Sequence, residues 1–164
     1  MAAEYQFVDR WFVPAAIENV YDVIGDQLAY PRWWGDVFLA VEGDEGPPRA
    51  GRHASVVAKG FLPYKLHFDA DVVEAERPRL IRMALSGDFR GGGAWTFEEA
   101  EGGTRATLDW RPIVEKPIVK HLTPVLRPLF ASNHYWTMRR GQEHIVEYLR
   151  EGGRLLGEAV ETGS

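Results

Sequence analysis

"DFRGGGAWTF", residues Asp88 to Phe97, poses the choice on which the fold turns. Three consecutive glycines follow an arginine and precede a tryptophan. Glycines beside a cation can cradle a phosphate, whereas glycines inside a strand let a sheet bend. The phosphate reading needs G-x-x-x-x-G-K-[ST], or G-x-G-x-x-G opening a helix. Neither is present, and no helix signal follows. Trp95 and Phe97 alternate onto one face, so the stretch reads as a strand. Gly91 to Gly93 then mark the bend that curves a sheet and leaves room inside it.

Working outward, a period of two holds from Val37 to Val114. "YKLHFDADVVEAE" (64–76) places Leu66, Phe68, Ala70 and Val72 on one face. Lys65, His67, Asp69 and Asp71 take the other. "LIRMALSG" (80–87) aligns Ile81, Met83 and Leu85. "TRATLDWRP" (104–112) sets Thr104, Ala106, Leu108 and Trp110 against Arg105, Thr107, Asp109 and Arg111. One apolar face, one wet face and short turns predict an antiparallel meander.

The flanks change period. Tyr5 to Val13 reads as a strand. In "AAIENVYDVIGD" (15–26) Ile17, Val20, Tyr21 and Ile24 fall at helical spacing. "QLAYPRWWGDV" (27–37) predicts a second short helix, with Pro31 in its first turn and Gly35 closing it. Of Trp33 and Trp34, one is expected to pack and the other to stay part-exposed, near a mouth at Trp33–Gly35 and Gly60–Pro63. After Lys116 come prolines 117, 124 and 128, read as a broken lead-in. A long helix follows, starting after Pro128 or capped by Ser132 or Asn133, and ends at Gly152-Gly153. On it His134, Met138, Ile145 and Leu149 share one stripe, flanked by Phe130, Tyr135, Gly141 and Tyr148. Trp136 and Glu143 are expected to point away. A curved sheet gripping one long helix is a two-layer α+β solution.

The bulk numbers fit one soluble domain over 1–153, with a polar tail at 154–164 whose end is expected to fray. The chain has 164 residues, 45% hydrophobic and 26% charged, and six tryptophans. A net charge of −5 argues against a nucleic-acid or anionic-membrane binder. There is no cysteine, which excludes disulfides and thiolate chemistry. No apolar run is long enough to span a bilayer, and "MAAEYQFVDR" has no signal-peptide core. A cytoplasmic location is the expectation. Spacings for a helical zinc site or a G-x-S-x-G elbow are missing, so no metal or cofactor is expected.

Three segments carry a family resemblance. "VPAAIENVYDVIGDQLAYPRWWGDV" (13–37) resembles the opening of the START-like, helix-grip superfamily (SRPBCC, Bet v 1-like). "RGGGAWTFEEAEGGTRATLDWRP" (90–112) resembles its late strand pair. "VLRPLFASNHYWTMRRGQEHIVEYL" (125–149) is similar to the final helix of a bacterial branch resembling polyketide cyclases/dehydrases. The resemblance implies about seven antiparallel strands around a long C-terminal helix, with two short helices after the first strand. It also implies a cavity for a hydrophobic or aromatic small molecule. Cyclase or dehydratase activity is one implied role. A carrier or sensor of lipid-like ligands, and a co-chaperone-like interaction module with a filled interior, are the alternatives. The oligomeric state is left open.

The residues themselves nominate a site. His134, on the inward stripe, is the candidate acid/base or ligand-orienting group. Trp110, Trp95, Phe68, Met83, Met138, Gly141 and Trp34 are the candidate ligand-binding residues. Gly141 also admits a packing explanation, because a glycine inside a helix needs a compensating close approach. His53, His67, Asp69 and Asp71 are assigned to the solvated face. Arg139 and Arg140 are read as surface partners of Glu143.

Overall fold

The computed structural model describes residues 3–60, 64–114 and 117–157, with side chains at all of these except 3–4, 114 and 117–126. The element order is β1 (Ala3–Glu4), β2 (Phe7–Val13), α1 (Ile17–Gly25), a 3-10 turn (Gln27–Ala29) and α2 (Tyr30–Trp33). Then come β3 (Phe38–Gly43), β4 (His53–Ala58), β5 (Leu66–Glu76), β6 (Leu80–Gly87), β7 (Phe89–Ala100), β8 (Gly103–Val114) and α3 (Pro117–Glu151).

The sheet runs β1-β8-β7-β6-β5-β4-β3, with β2 also on β8, and every pairing is antiparallel. β1 and β2 pair with successive parts of β8, so together they act as one interrupted edge strand. Sequential hairpins build β3 to β8. The pair β1/β2 lies against β8, the last strand of the meander, and α1 and α2 bridge from β2 to β3.

Alternation sets the layers. In β2 the burial pattern is strictly alternating, with Phe7, Asp9, Trp11 and Val13 inward. In β5 the predicted face of Phe68, Ala70 and Val72 is buried, and a register shift between Val72 and Glu74 then moves Ala75 inward. The inner faces and the inner stripe of α3 form an aromatic-rich core, with a smaller cluster around Tyr5 and Phe7 beside it.

The three glycines lie within β7, which begins earlier than the expected strand. Gly91 has φ +91°, a left-handed conformation that L side chains rarely adopt, while its pairing with Pro112 keeps the register of the ladder. Gly93 sits opposite Trp110 on the inner face, and a Cβ there would lie 2.9 Å from Trp110 Cε3. The space freed at Gly93 is therefore filled by the Trp110 ring, which becomes part of the wall.

α3 differs from expectation at its start. It is one 35-residue helix that carries Pro124 and Pro128 in its interior. Each proline removes one backbone donor, and the helix continues because the following turns are anchored by their buried stripe of Met138, Ile145 and Leu149. Its end matches. Gly153 adopts φ +68°, its N–H bonds Arg150 O, and Arg154 N–H bonds Leu149 O, which is a Schellman stop. Leu155 then packs into the core and bridges to Ala15. The far end of the tail, 158–164, lies outside the described residues.

Two side-chain expectations are corrected. Trp33 and Trp34 are both buried, at 4% exposure, because α2 tucks between the sheet rim and α3. Trp33 stacks on Tyr148, and Trp34 reaches α3 through Nε1 donating to Thr137 O at 3.1 Å. Trp136 is partly buried against the core, since a sheet that wraps a helix covers more than one narrow stripe. Among the described residues no helix is long and apolar enough to cross a membrane.

Candidate functional site

A cavity of about 190 Å³ lies between the concave face of the sheet, α2 and the first described turns of α3. Its walls come from alternating strand residues: Phe68 on β5, Met83 on β6, Trp95 on β7, and Leu108 and Trp110 on β8. Trp34 comes from the end of α2, and His134 and Met138 from α3. Seven of the eight sequence-nominated residues therefore meet in one space. The exception is Gly141, which does not line it. A Cβ at Gly141 would stand 2.5 Å from the Trp34 indole and 2.8 Å from Trp11. Its missing side chain lets α3 settle onto those two rings, and Trp34 in turn presents its other surface to the cavity.

Aromatic contacts make the wall continuous. Trp11 packs against Trp34 and Trp95, with centroids 5.5 and 5.0 Å apart. Phe68 meets Phe89 and Trp110 edge-on at 5.4 and 6.5 Å. Trp34 lies against Phe38 at 4.7 Å. Tilted and edge-on arrangements are favoured by the ring quadrupoles, so these rings hold one another in place before any ligand arrives.

His134 has a partner that sequence reasoning missed. Its Nε2 lies 2.6 Å from Asp9 Oδ2, and the two side chains are only 12% and 9% exposed. Its ring stacks on Phe7, centroid to centroid 4.0 Å at 16°. The signal for Asp9 was legible in "FVDRWFV". A carboxylate at an inward position of an alternating strand must find a partner, because a buried unpaired charge is prohibitively costly. What the alternation did not reveal was the partner, which sits 125 residues away.

The bond to Asp9 engages Nε2 and orients the ring. Nδ1 forms no hydrogen bond among the described residues. With Nε2–H donating to the carboxylate, Nδ1 presents a lone pair, and a proton taken there yields an imidazolium that Asp9 stabilises. This is the arrangement of a carboxylate-oriented general base. Other polar groups ring the cavity sparsely. Asn133 and Thr137 lie on α3, and Gln27 lies on the 3-10 turn. Tyr64 also lines it, and burial followed by the nearby Tyr5 pushes its hydroxyl up to about 12, so it stays a neutral donor. The expected mouth segment Gly60–Pro63 is represented only by Gly60, which borders the cavity beside Asn133. Residues 61–63 lie outside the described residues.

The outer face behaves as a solvated surface. His53 Nδ1 meets Asp71 Oδ1 at 2.6 Å, and Ser55 Oγ donates to Asp69 Oδ1 at 2.7 Å. Arg140 pairs with Glu143 at 3.3 Å as expected, and more closely with Asp36 at 2.7 Å. Among the described residues no three His, Asp or Glu side chains converge as metal ligands would.

Residues 6–150 match the family model for polyketide cyclase / dehydrase and lipid transport proteins, so the chain belongs to that family. Solved structures agree on the fold. A Thermus thermophilus protein superposes with TM-score 0.67 at 21% identity, covering 88% of this chain and 99% of its own. A Mycobacterium smegmatis protein gives 0.63 at 14%, covering 90% and 92%. The di-domain ARO/CYC protein BexL of the BE-7585A biosynthetic pathway gives 0.64 at 17%, covering 86% of this chain and 50% of BexL. No curated protein matches the chain.

Proposed function

We propose that this member of the polyketide cyclase/dehydrase and lipid transport family binds a hydrophobic or aromatic small molecule in the grip. His134, oriented by Asp9, acts there as general base and then general acid. The observation that carries the reading is an aromatic-walled cavity lined by His134, whose part-buried ring is paired with the buried carboxylate of Asp9. Apolar burial supplies most of the affinity, at about 25 cal/mol per Å² before association costs. The rings exclude water and fix the ligand's orientation.

The chemistry that suits this pair is cyclisation with loss of water. Nδ1 removes a proton from a carbon lying between two carbonyls of a β-polyketone. The resulting enolate attacks a carbonyl further along the same chain, and a carbon–carbon bond forms. The imidazolium returns its proton to the new alkoxide, which becomes a hydroxyl. Nδ1 then removes the remaining proton from the same carbon, the carbon–carbon double bond forms as the carbon–oxygen bond breaks, and the imidazolium gives that proton to the departing hydroxyl, which leaves as water. The ARO/CYC designation of BexL makes this class the natural one to try. The cavity weighs against the interaction-module alternative, which requires a filled interior. Carriage without chemistry is the second reading, favoured by how few polar groups line the walls.

The test offers a short β-polyketone to the purified protein and follows ring formation by absorbance, with native mass spectrometry of the complex alongside. His134→Ala is expected to slow ring formation by about 10²- to 10⁴-fold while retaining apolar ligands. Binding without any acceleration over buffer would leave a carrier.

A further inference from the structure

Four polar or charged side chains are buried in the described core: Asp9, Gln27, Arg52 and Thr104. Three are matched to strong partners. Asp9 holds His134, Arg52 donates to Gly25 O and Asp44 O, and Thr104 Oγ1 donates to Ala15 O. Gln27 is different. Its side chain makes a single hydrogen bond among the described residues, from Nε2 to the thioether Sδ of Met83 at 3.0 Å. A thioether is a weak acceptor, and an amide offers a second N–H and a carbonyl with two lone pairs. Gln27 is 8% exposed and lines the cavity. A buried amide so poorly matched costs free energy unless something in the cavity completes it.

We infer that Gln27 is a second polar anchor of the cavity, and that the ligand is a one- or two-ring molecule with a hydrogen-bonding oxygen at each end. This rests on the binding reading above and names the class of ligand that the same cavity takes. Two further observations shape it. The first is size. At about 190 Å³ the space falls below the roughly 300–1,000 Å³ usual for drug-sized ligands. It exceeds the approximately 150 Å³ cavity that accepts benzene. One ring or two fused rings fill that space.

The second is placement. His134 is tied to β2, and Gln27 to β6 through Met83. In the sheet β8 and β7 lie between those strands. Three inter-strand steps of about 4.8 Å separate the two poles along the sheet before curvature. Aromatic residues Trp95 and Trp110 occupy the strands between them. A flat apolar body therefore lies along the indoles, one oxygen reaches Nδ1 of His134, and the other reaches the amide of Gln27.

Quenching of tryptophan fluorescence tests this with three probes: naphthalene, a naphthol, and the naphthalenediol with hydroxyls on opposite rings. Wild type is expected to bind the diol about tenfold more tightly than the naphthol, the increment of one buried hydrogen bond. Gln27→Met, which keeps size and flexibility, is expected to erase that diol-to-naphthol ratio. Its affinity for the naphthol should stay within about threefold of wild type. Gln27→Leu serves as a second variant, and thermal melts establish that both are folded. A ratio that survives in both folded variants, or the absence of any diol preference in wild type, overturns the anchor while leaving the cavity reading intact. Failure of all three probes to bind wild type overturns the cavity reading itself, and the anchor with it.

Discussion

Among the described residues, two histidine–carboxylate pairs of the same length stand in opposite settings. His134 and Asp9 meet at 2.6 Å inside the grip, at 12% and 9% exposure. His53 and Asp71 meet at 2.6 Å on the outer face, at 43% and 45%. Both link a histidine to a carboxylate on a strand. Their difference lies in the surroundings. Inside, the neighbours are Phe7 and the cavity wall, and little of either group reaches the surface. Outside, Asp69, Asp71 and Asp44 crowd the same imidazole and water solvates all of them. Equal geometry therefore carries unequal weight, and burial is what sets the inner pair apart.

The strongest way to break this comparison is to delete the carboxylate from each pair. Asp9→Ala is expected to destabilise the fold by about 3 kcal/mol, because it empties a buried site and leaves the part-buried His134 ring without its partner. Asp71→Ala is expected to cost under about 1 kcal/mol. Urea denaturation of the two variants compares them directly. Equal costs would mean that the inner pair is as wet as the outer one.

Volume sharpens the same contrast. Gly141→Ala should cost about 1–3 kcal/mol, although alanine is the better helix former by about 1 kcal/mol. The added methyl would stand 2.5 Å from Trp34 and 2.8 Å from Trp11, both rigid rings. A thermal melt checks this, and a stabilised variant would show that α3 does not press on those indoles.

The smallest effect is a pH dependence of the outer pair. The hydrogen bond to Asp71, aided by the surrounding carboxylates, raises His53 above its usual value near 6.5. A raised folded value stabilises the fold fully below the unfolded value, and that contribution is lost as pH rises through the folded one. Solvent screening limits the loss to well under about 1 kcal/mol. An NMR titration of the His53 ring should show a midpoint above about 6.5, and in Asp71→Asn that midpoint should fall back. A midpoint unmoved by the substitution would remove Asp71 as the cause.

The sequence by itself determined the class of fold and most of the cavity wall. Alternation places Phe68, Met83, Trp95 and Trp110 on the concave face, since period two is a local property of a strand. The helical stripe likewise put His134 and Met138 inward. Only the tertiary structure decided three things. It set Asp9 against His134, a contact that closes between the first strand and the last helix. It filled the space at Gly93 with the Trp110 ring and the space at Gly141 with Trp34, so that neither glycine faces open volume. It left Gln27 with a sulfur for its partner, a mismatch that no local pattern records. The physical reason is common to all three. Which face a residue takes follows from its neighbours in sequence, but what it meets there depends on how distant elements close.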